Sequence, residues 1–483
     1  MGLLYHEDKD FAGGALENRR ITAVYYGAEL LWPHLPVNIK VDTSISNTLT
    51  IQGIDGKSVS WGDGASETAA ANSISHTYAT AGIYDVKVDG LSEIPSNFLS
   101  IQSNVVEIST HIKIVGIGNL AFNGCSAITT FNVDLSQCVN LGFDAFRNAF
   151  APGSHIELNF SNPGLIIAPV AGGDYGTFHS SKIHRITIHP NATSSIARGM
   201  FSSCSELVEV NLGQPVQIGD SAFQNCSAIT AFNVDLTHTV DLGIDSFRGA
   251  FAPGSHIELN FSNPGLIIAP VAGGDYGTFH SSKIYRITIH PNATSSIARG
   301  MFNNCNELIE VNLGKPVQIG DSAFQNCSAI TAFNVDLSQT IYLGVDTFRS
   351  SFAPGSHIEL NFSNPGLTIA LITGGNYGTF HSSKIYRITF NQDTVADVVR
   401  GMFYGCNELI EVDLGKPNQY IETDAFASAV SLQKIRIYAT VPPVLNSTIP
   451  VNSLQTIYVP AASLSAYQGA TNWIAYASYM SGF

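Results

Sequence analysis

Charge is what this sequence has least of. Only 13% of its 483 residues are charged, and 23 lysines and arginines face 38 aspartates and glutamates, a formal net charge of −15. A surface of that sign does not draw phosphate backbones or anionic headgroups, so nucleic acid is not an expected partner. No apolar run approaches the roughly 18–20 residues that cross a bilayer, so membrane insertion is not expected either. The segment Met1 to Asp10 carries acids where an export signal has a basic start and an apolar centre. It predicts synthesis without a classical signal, although a chain from which one had been removed would read the same. Cysteine is scarce and odd in number: Cys125, Cys138, Cys204, Cys226, Cys305, Cys327 and Cys406. An odd set makes a poor disulfide framework, so buried free thiols are expected, with a Cys204–Cys226 bridge as the alternative.

Catalytic signatures are missing too. There is no Gly-x-Ser-x-Gly elbow, no CxxC pair and no zinc helix after His6, and Gly56-Lys57-Ser58 lacks the first glycine of a phosphate loop. The expectation is therefore no enzyme, no cofactor and no metal. What is present is 45% hydrophobic residues and 43 glycines. That is too apolar for a disordered chain and too rich in turn formers for a helical bundle, which leaves a mainly β protein.

Its organisation is repetitive. Phe150-Ala-Pro-Gly-Ser-His-Ile-Glu-Leu-Asn-Phe160 recurs unaltered from Phe251 and from Phe352, each time 101 residues on. Inside that unit a shorter module is marked by a phenylalanine behind a turn of small residues, as in Ile218-Gly-Asp-Ser-Ala-Phe-Gln-Asn-Cys226. The markers are Phe98, Phe122, Phe146, Phe178, Phe201, Phe223, Phe247, Phe279, Phe302, Phe324, Phe348, Phe380, Phe403 and Phe426. Each 101-residue unit thus holds four modules, about fourteen in all. In one module Leu207, Val210 and Leu212 alternate with polar residues, the pattern of a short half-buried strand. A single module has nothing to bury its apolar side against, so neighbours must stack as coils of a solenoid. One strand and one helical turn per coil are expected, with the phenylalanines in an internal column. The loop from Ala171 to Gly176 should bulge on one face.

The iterated Ile-Gly-x-x-Ala-Phe-x-x-Cys pattern resembles the BspA-type leucine-rich repeat, over residues 91–430. The tail at 431–483, with Leu454-Gln-Thr-Ile-Tyr-Val-Pro-Ala461, Tyr467 and Asn472-Trp-Ile-Ala-Tyr476, is similar to the usual end of such proteins, and its role would be to cap the last coil. Residues 37–90 carry Trp61-Gly62-Asp63-Gly64, His76-Thr77-Tyr78 and Gly82-Ile-Tyr-Asp-Val-Lys-Val88, which resemble a small Ig-like PKD β-sandwich. Asp63 in that turn reads as structural rather than as a calcium ligand.

Within residues 1–36, Arg20-Ile-Thr-Ala-Val-Tyr-Tyr-Gly-Ala-Glu-Leu-Leu-Trp-Pro33 reads as a hairpin around Gly27 and is similar to short leaders of virion proteins from phages of gut bacteria. Ile21, Val24, Tyr25, Leu30, Leu31 and Trp32 are too many apolar side chains for so short a segment to bury alone. They are expected to anchor the chain on a virion or cell-surface platform, on a second copy, or on the neighbouring sandwich.

Candidate binding residues lie on the outward side of the strands: His184, Arg185 and Glu209, then Tyr285, Arg286 and Glu310, then Tyr386, Arg387 and Glu411. Aromatic rings beside arginine are common on surfaces that meet a protein or glycan receptor. His155, His256 and His357 recur four coils apart, too far to share an ion, and read as copied surface residues, as do His179, His280 and His381. The resemblances together imply a non-catalytic recognition protein on a phage virion, as fibre or decoration. A bacterial surface adhesin is the alternative.

Overall fold

The computed structural model describes residues 36–168, 176–192, 195–269, 277–292, 296–370 and 378–483, and the backbone alone of 3–7, 21–26 and 29–32. It is mainly β, a solenoid of about 15 turns with little helix. The chain forms two compact units, Met1–Ser194 with Met200–Gly213, and Ser195–Gly199 with Gln214–Phe483.

In the first unit β1 (Leu3–Glu7), β2 (Ile21–Tyr26) and β3 (Glu29–Trp32) form an antiparallel meander, one strand more than the expected hairpin. The six candidate anchor side chains on β2 and β3 lie outside the described residues, as does the loop from Ala171 to Tyr175. Next come β4 (Val37–Asp42), β5 (Thr48–Gln52), β6 (Ser58–Ser60), β7 (Ser66–Thr68), β8 (Ser73–Thr77), β9 (Ile83–Val88) and β10 (Val105–Lys113). β10 runs antiparallel to β4 on one side and parallel to Thr130–Asp134 of the next coil on the other, so one sheet passes from these strands into the solenoid. Strict alternation on β4 buries Val37, Ile39 and Val41, and Leu49, Ile51, Val59, Val86 and Val88 complete that core. Trp61 stacks on His76 at 4.8 Å, and the Tyr78 hydroxyl donates to the Trp61 carbonyl. The Asp63 carboxylate accepts from the Ala65 amide and meets His76 Nε2 at 2.7 Å, contacts that hold it below the usual carboxylate range.

The following coils contribute a strand of three to six residues, the turn with its phenylalanine and, in most, a second strand of only two residues, reduced to a single bridge at Val398. The longer strands pair in parallel, for example Ile257–Phe261, Ile284–Ile289, Glu310–Asn312 and Ala332–Asn334. The short ones form a second parallel ladder, as in Ser296–Ile297, Gln318–Ile319, Tyr342–Leu343 and Thr368–Ile369. One strand per coil was expected; a two-residue pair shows no alternation and left no trace in the pattern.

All fourteen marker phenylalanines are fully buried. From Phe223 to Phe426 successive rings stack 5.2–5.7 Å apart, with planes within 13° of parallel. Coil spacing, rather than ring preference, sets this distance, since neighbouring strands lie about 4.8 Å apart. Further phenylalanines flank the column: half-buried Phe333 meets Phe324 edge-on at 5.2 Å, and buried Phe352 stacks on Phe348 at 5.6 Å. Phe150, Phe251 and Phe352 take φ of 72°, 71° and 69°, a left-handed conformation costly for a bulky residue and offset here by complete burial.

The glycine of the Ile-Gly motif has a steric cause. A Cβ on Gly320 would sit 2.6 Å from the Arg299 backbone nitrogen of the neighbouring coil. The C-terminal segment closes the last sheet with Met480–Gly482 beside Thr456–Val459. Tyr467 and Trp473 are buried there, donating to the Ala439 and Pro443 carbonyls.

Candidate binding face

The nine candidate residues gather in three groups, one in the first unit and two in the second, and parallel pairing determines each. In the first, Glu157, Arg185 and Glu209 are register partners on adjacent strands. The Arg185 guanidinium donates to Glu209 at 2.8 Å and pairs with Glu157 at 3.1 Å. Arg286 repeats this with Glu310 at 2.8 Å and Glu258 at 2.9 Å, and Arg387 with Glu411 at 3.2 Å and Glu359 at 3.3 Å. Each arginine expected on the outward face is held by two carboxylates. Glu157, Glu258 and Glu359 were missed in the sequence, because nothing in it shows that a glutamate 28 residues away becomes a cross-strand neighbour.

A second polar column runs beside the first. Asn211 donates to Thr187 Oγ1 at 3.2 Å and to Glu209 at 2.9 Å, and Asn312 repeats both contacts with Thr288 and Glu310. The asparagine above all, with help from the arginine, holds Glu209 and Glu310 below the ordinary carboxylate range, against burial, which pushes the other way. Arg286 is raised, first by Glu258 and then by Glu310.

Strict alternation would not turn two consecutive residues, His184 and Arg185, to the same side. A bulge does. Ile156 pairs with Ile183 but Glu157 with Arg185, so His184 is the extra residue, and the strand reads buried, half-exposed, half-exposed, buried. Tyr285 and Tyr386 occupy the same bulge in the other copies. Each meets the ring of a histidine from the preceding coil: His155 with His184 at 4.6 Å, His256 with Tyr285 at 4.6 Å and His357 with Tyr386 at 4.7 Å, all edge-on. The three histidines read as copied surface residues are therefore members of this face.

His179, His280 and His381 differ from that reading in another way: they are half-buried beside the phenylalanine column. Burial, then a neighbouring arginine, lowers all three, and His280 falls to about 4. They are neutral at physiological pH.

All seven cysteines are buried free thiols, as expected. Cys204, Cys305 and Cys406 donate to the carbonyls of Phe178, Phe279 and Phe380 at 2.9–3.0 Å. Burial pushes each up to about 12, which leaves no reactive thiolate. A groove of about 360 Å3 lies along the short ladder of the second unit between Arg198, Gln217, Asp220 and Asp241. Among the described residues no three metal-ligating side chains converge.

Comparison with known protein families agrees with this architecture. The family described as BspA type leucine rich repeat region matches residues 78–152, 172–250, 274–353 and 370–466. Among curated proteins none matches. Solved structures similar to the chain include a leucine-rich repeat protein from Bacteroides ovatus ATCC 8483, 16% identical, covering 77% of this chain and 90% of that one with a TM-score of 0.43. Another is a leucine rich cell surface protein from Faecalibacterium prausnitzii A2-165, also 16% identical, covering 84% and 89% with a TM-score of 0.23.

Proposed function

Because the chain belongs to the BspA-type leucine-rich repeat family, we propose that it is a non-catalytic recognition protein whose solenoid presents the outward strand face to a protein or glycan receptor. The observation that carries this is the repeated Glu–Arg–Glu cluster with its paired aromatic rings. The same exposed arrangement is rebuilt at each 101-residue step, although nothing in the core demands it. Two carboxylates hold each guanidinium in one orientation, and ordering donors in advance lowers the entropic cost of engaging a ligand. Such a surface binds by many modest contacts rather than by one deep pocket.

The carrier in this reading is a phage virion, with the solenoid as fibre or decoration. Residues 37–90 act as a PKD-like spacer, the N-terminal strands as the attachment to a platform or a second copy, and the C-terminal segment as the cap. Support comes from the leader-like sequence of residues 20–33 and from the apolar side chains on β2 and β3. Fractionation of an infected culture tests it: the protein should travel with purified particles. Recovery in the bacterial envelope instead would overturn the virion reading and favour a surface adhesin. Deleting residues 1–36 separates anchor from display, and the expected result is a folded solenoid that no longer attaches.

A further inference from the structure

At its ring pair the first copy of the outward face differs from the other two. Where the others pair a histidine with a tyrosine, the first pairs His155 with His184, and their Nδ1 atoms stand 3.4 Å apart. That is long for a hydrogen bond from one ring nitrogen to another. It agrees instead with the spacing of two nitrogens sharing one ion, since ligands at about 2.0–2.1 Å and a tetrahedral angle lie about 3.3 Å apart. Neither ring is packed into the core: His155 is exposed in the turn before its strand, with φ of 53°, and His184 is half-exposed on the bulge. Both are therefore free to turn the small angle that directs two lone pairs at a common point. The charged groups around them are Glu157 and Glu209, which neutralise Arg185 between them and leave the local field net negative.

We propose that His155 and His184 form a surface site for a borderline transition-metal dication, Zn2+ or Cu2+, bound through the two Nδ1 atoms. Water fills the remaining positions, since imidazole suits these metals and a two-histidine site leaves coordination open. The buried thiols do not compete for the ion. The site stands whether or not the recognition reading holds.

The experiment is a titration of the full chain with ZnCl2 by calorimetry and with CuCl2 by electron paramagnetic resonance. His184→Tyr installs the residue that the two sister copies carry at this position, so folding, checked by circular dichroism, is expected to be unaffected. It should remove one equivalent of Zn2+ and the two-nitrogen coupling of the Cu2+ spectrum. Tyr285→His recreates the pair opposite His256 and should add one equivalent. Unchanged stoichiometry in His184→Tyr overturns the site. Loss there without a gain in Tyr285→His overturns the claim that the ring pair alone makes it.

Discussion

Phe324 sits in the middle of the ring column, 5.2 Å from Phe302, 5.5 Å from Phe348 and edge-on to Phe333. Truncating it to alanine removes the contacts of three rings and leaves a cavity between coils that the stacked backbone is too constrained to close. The expected loss is about 3–5 kcal/mol, read from denaturant unfolding of the variant. At Gly320 the threat is overlap rather than a void. Gly320→Ala drives a methyl against the Arg299 backbone and should cost roughly 1–3 kcal/mol, even though alanine is otherwise the milder change. The cysteines give a chemical test: iodoacetamide should leave the native protein unlabelled and modify all seven residues once it is denatured without reductant. A protected pair such as Cys204 and Cys226 would contradict the free-thiol assignment.

At the scale of strands and turns, the phenylalanine spacing and the alternation of Leu207, Val210 and Leu212 were enough to read coils, core column and strand position. Other features were not legible, because they show no period, lie outside the repeated motif or depend on a neighbour remote in sequence, as Glu157, Glu258 and Glu359 do. The two-residue ladder is too short for any period. The flanking phenylalanines lie outside the module that marks the repeat. The bulge at His184, Tyr285 and Tyr386 exists only by comparison with the partner strand, and it is what exposes two consecutive candidate residues. The same ladder sets a pH response. The carboxylates of Glu209 and Glu310 are lowered in the fold, so their stabilisation is present above the ordinary value of 4.5 and is lost as pH falls through the lowered one. His280 adds an earlier loss. Its folded value of about 4 against an ordinary 6.5 means that stability begins to fall below about pH 6.5 and continues to fall until about pH 4. Replacing His280 by glutamine should flatten the melting temperature across that window, and an unchanged slope would contradict the buried neutral imidazole.

For the whole molecule the central claim is modularity: coils contact their neighbours, and a 101-residue unit is four complete coils. The unit from Phe251 to Ser351 can then be removed so that Ala250 meets Phe352, which has the sequence surroundings and the left-handed φ of Phe251. Stability in such an array is close to a sum over coils and their interfaces, so the shortened protein keeps every type of interface and loses only copies. The most direct measurement is thermal unfolding of this deletion beside one of 90 residues, Phe251 to Thr340, which breaks the phase. The in-phase deletion should unfold cooperatively, with strand content per residue equal to that of the parent, whereas the out-of-phase deletion should be aggregated or unfolded. Equal behaviour of the two, or collapse of the in-phase deletion, would contradict the account.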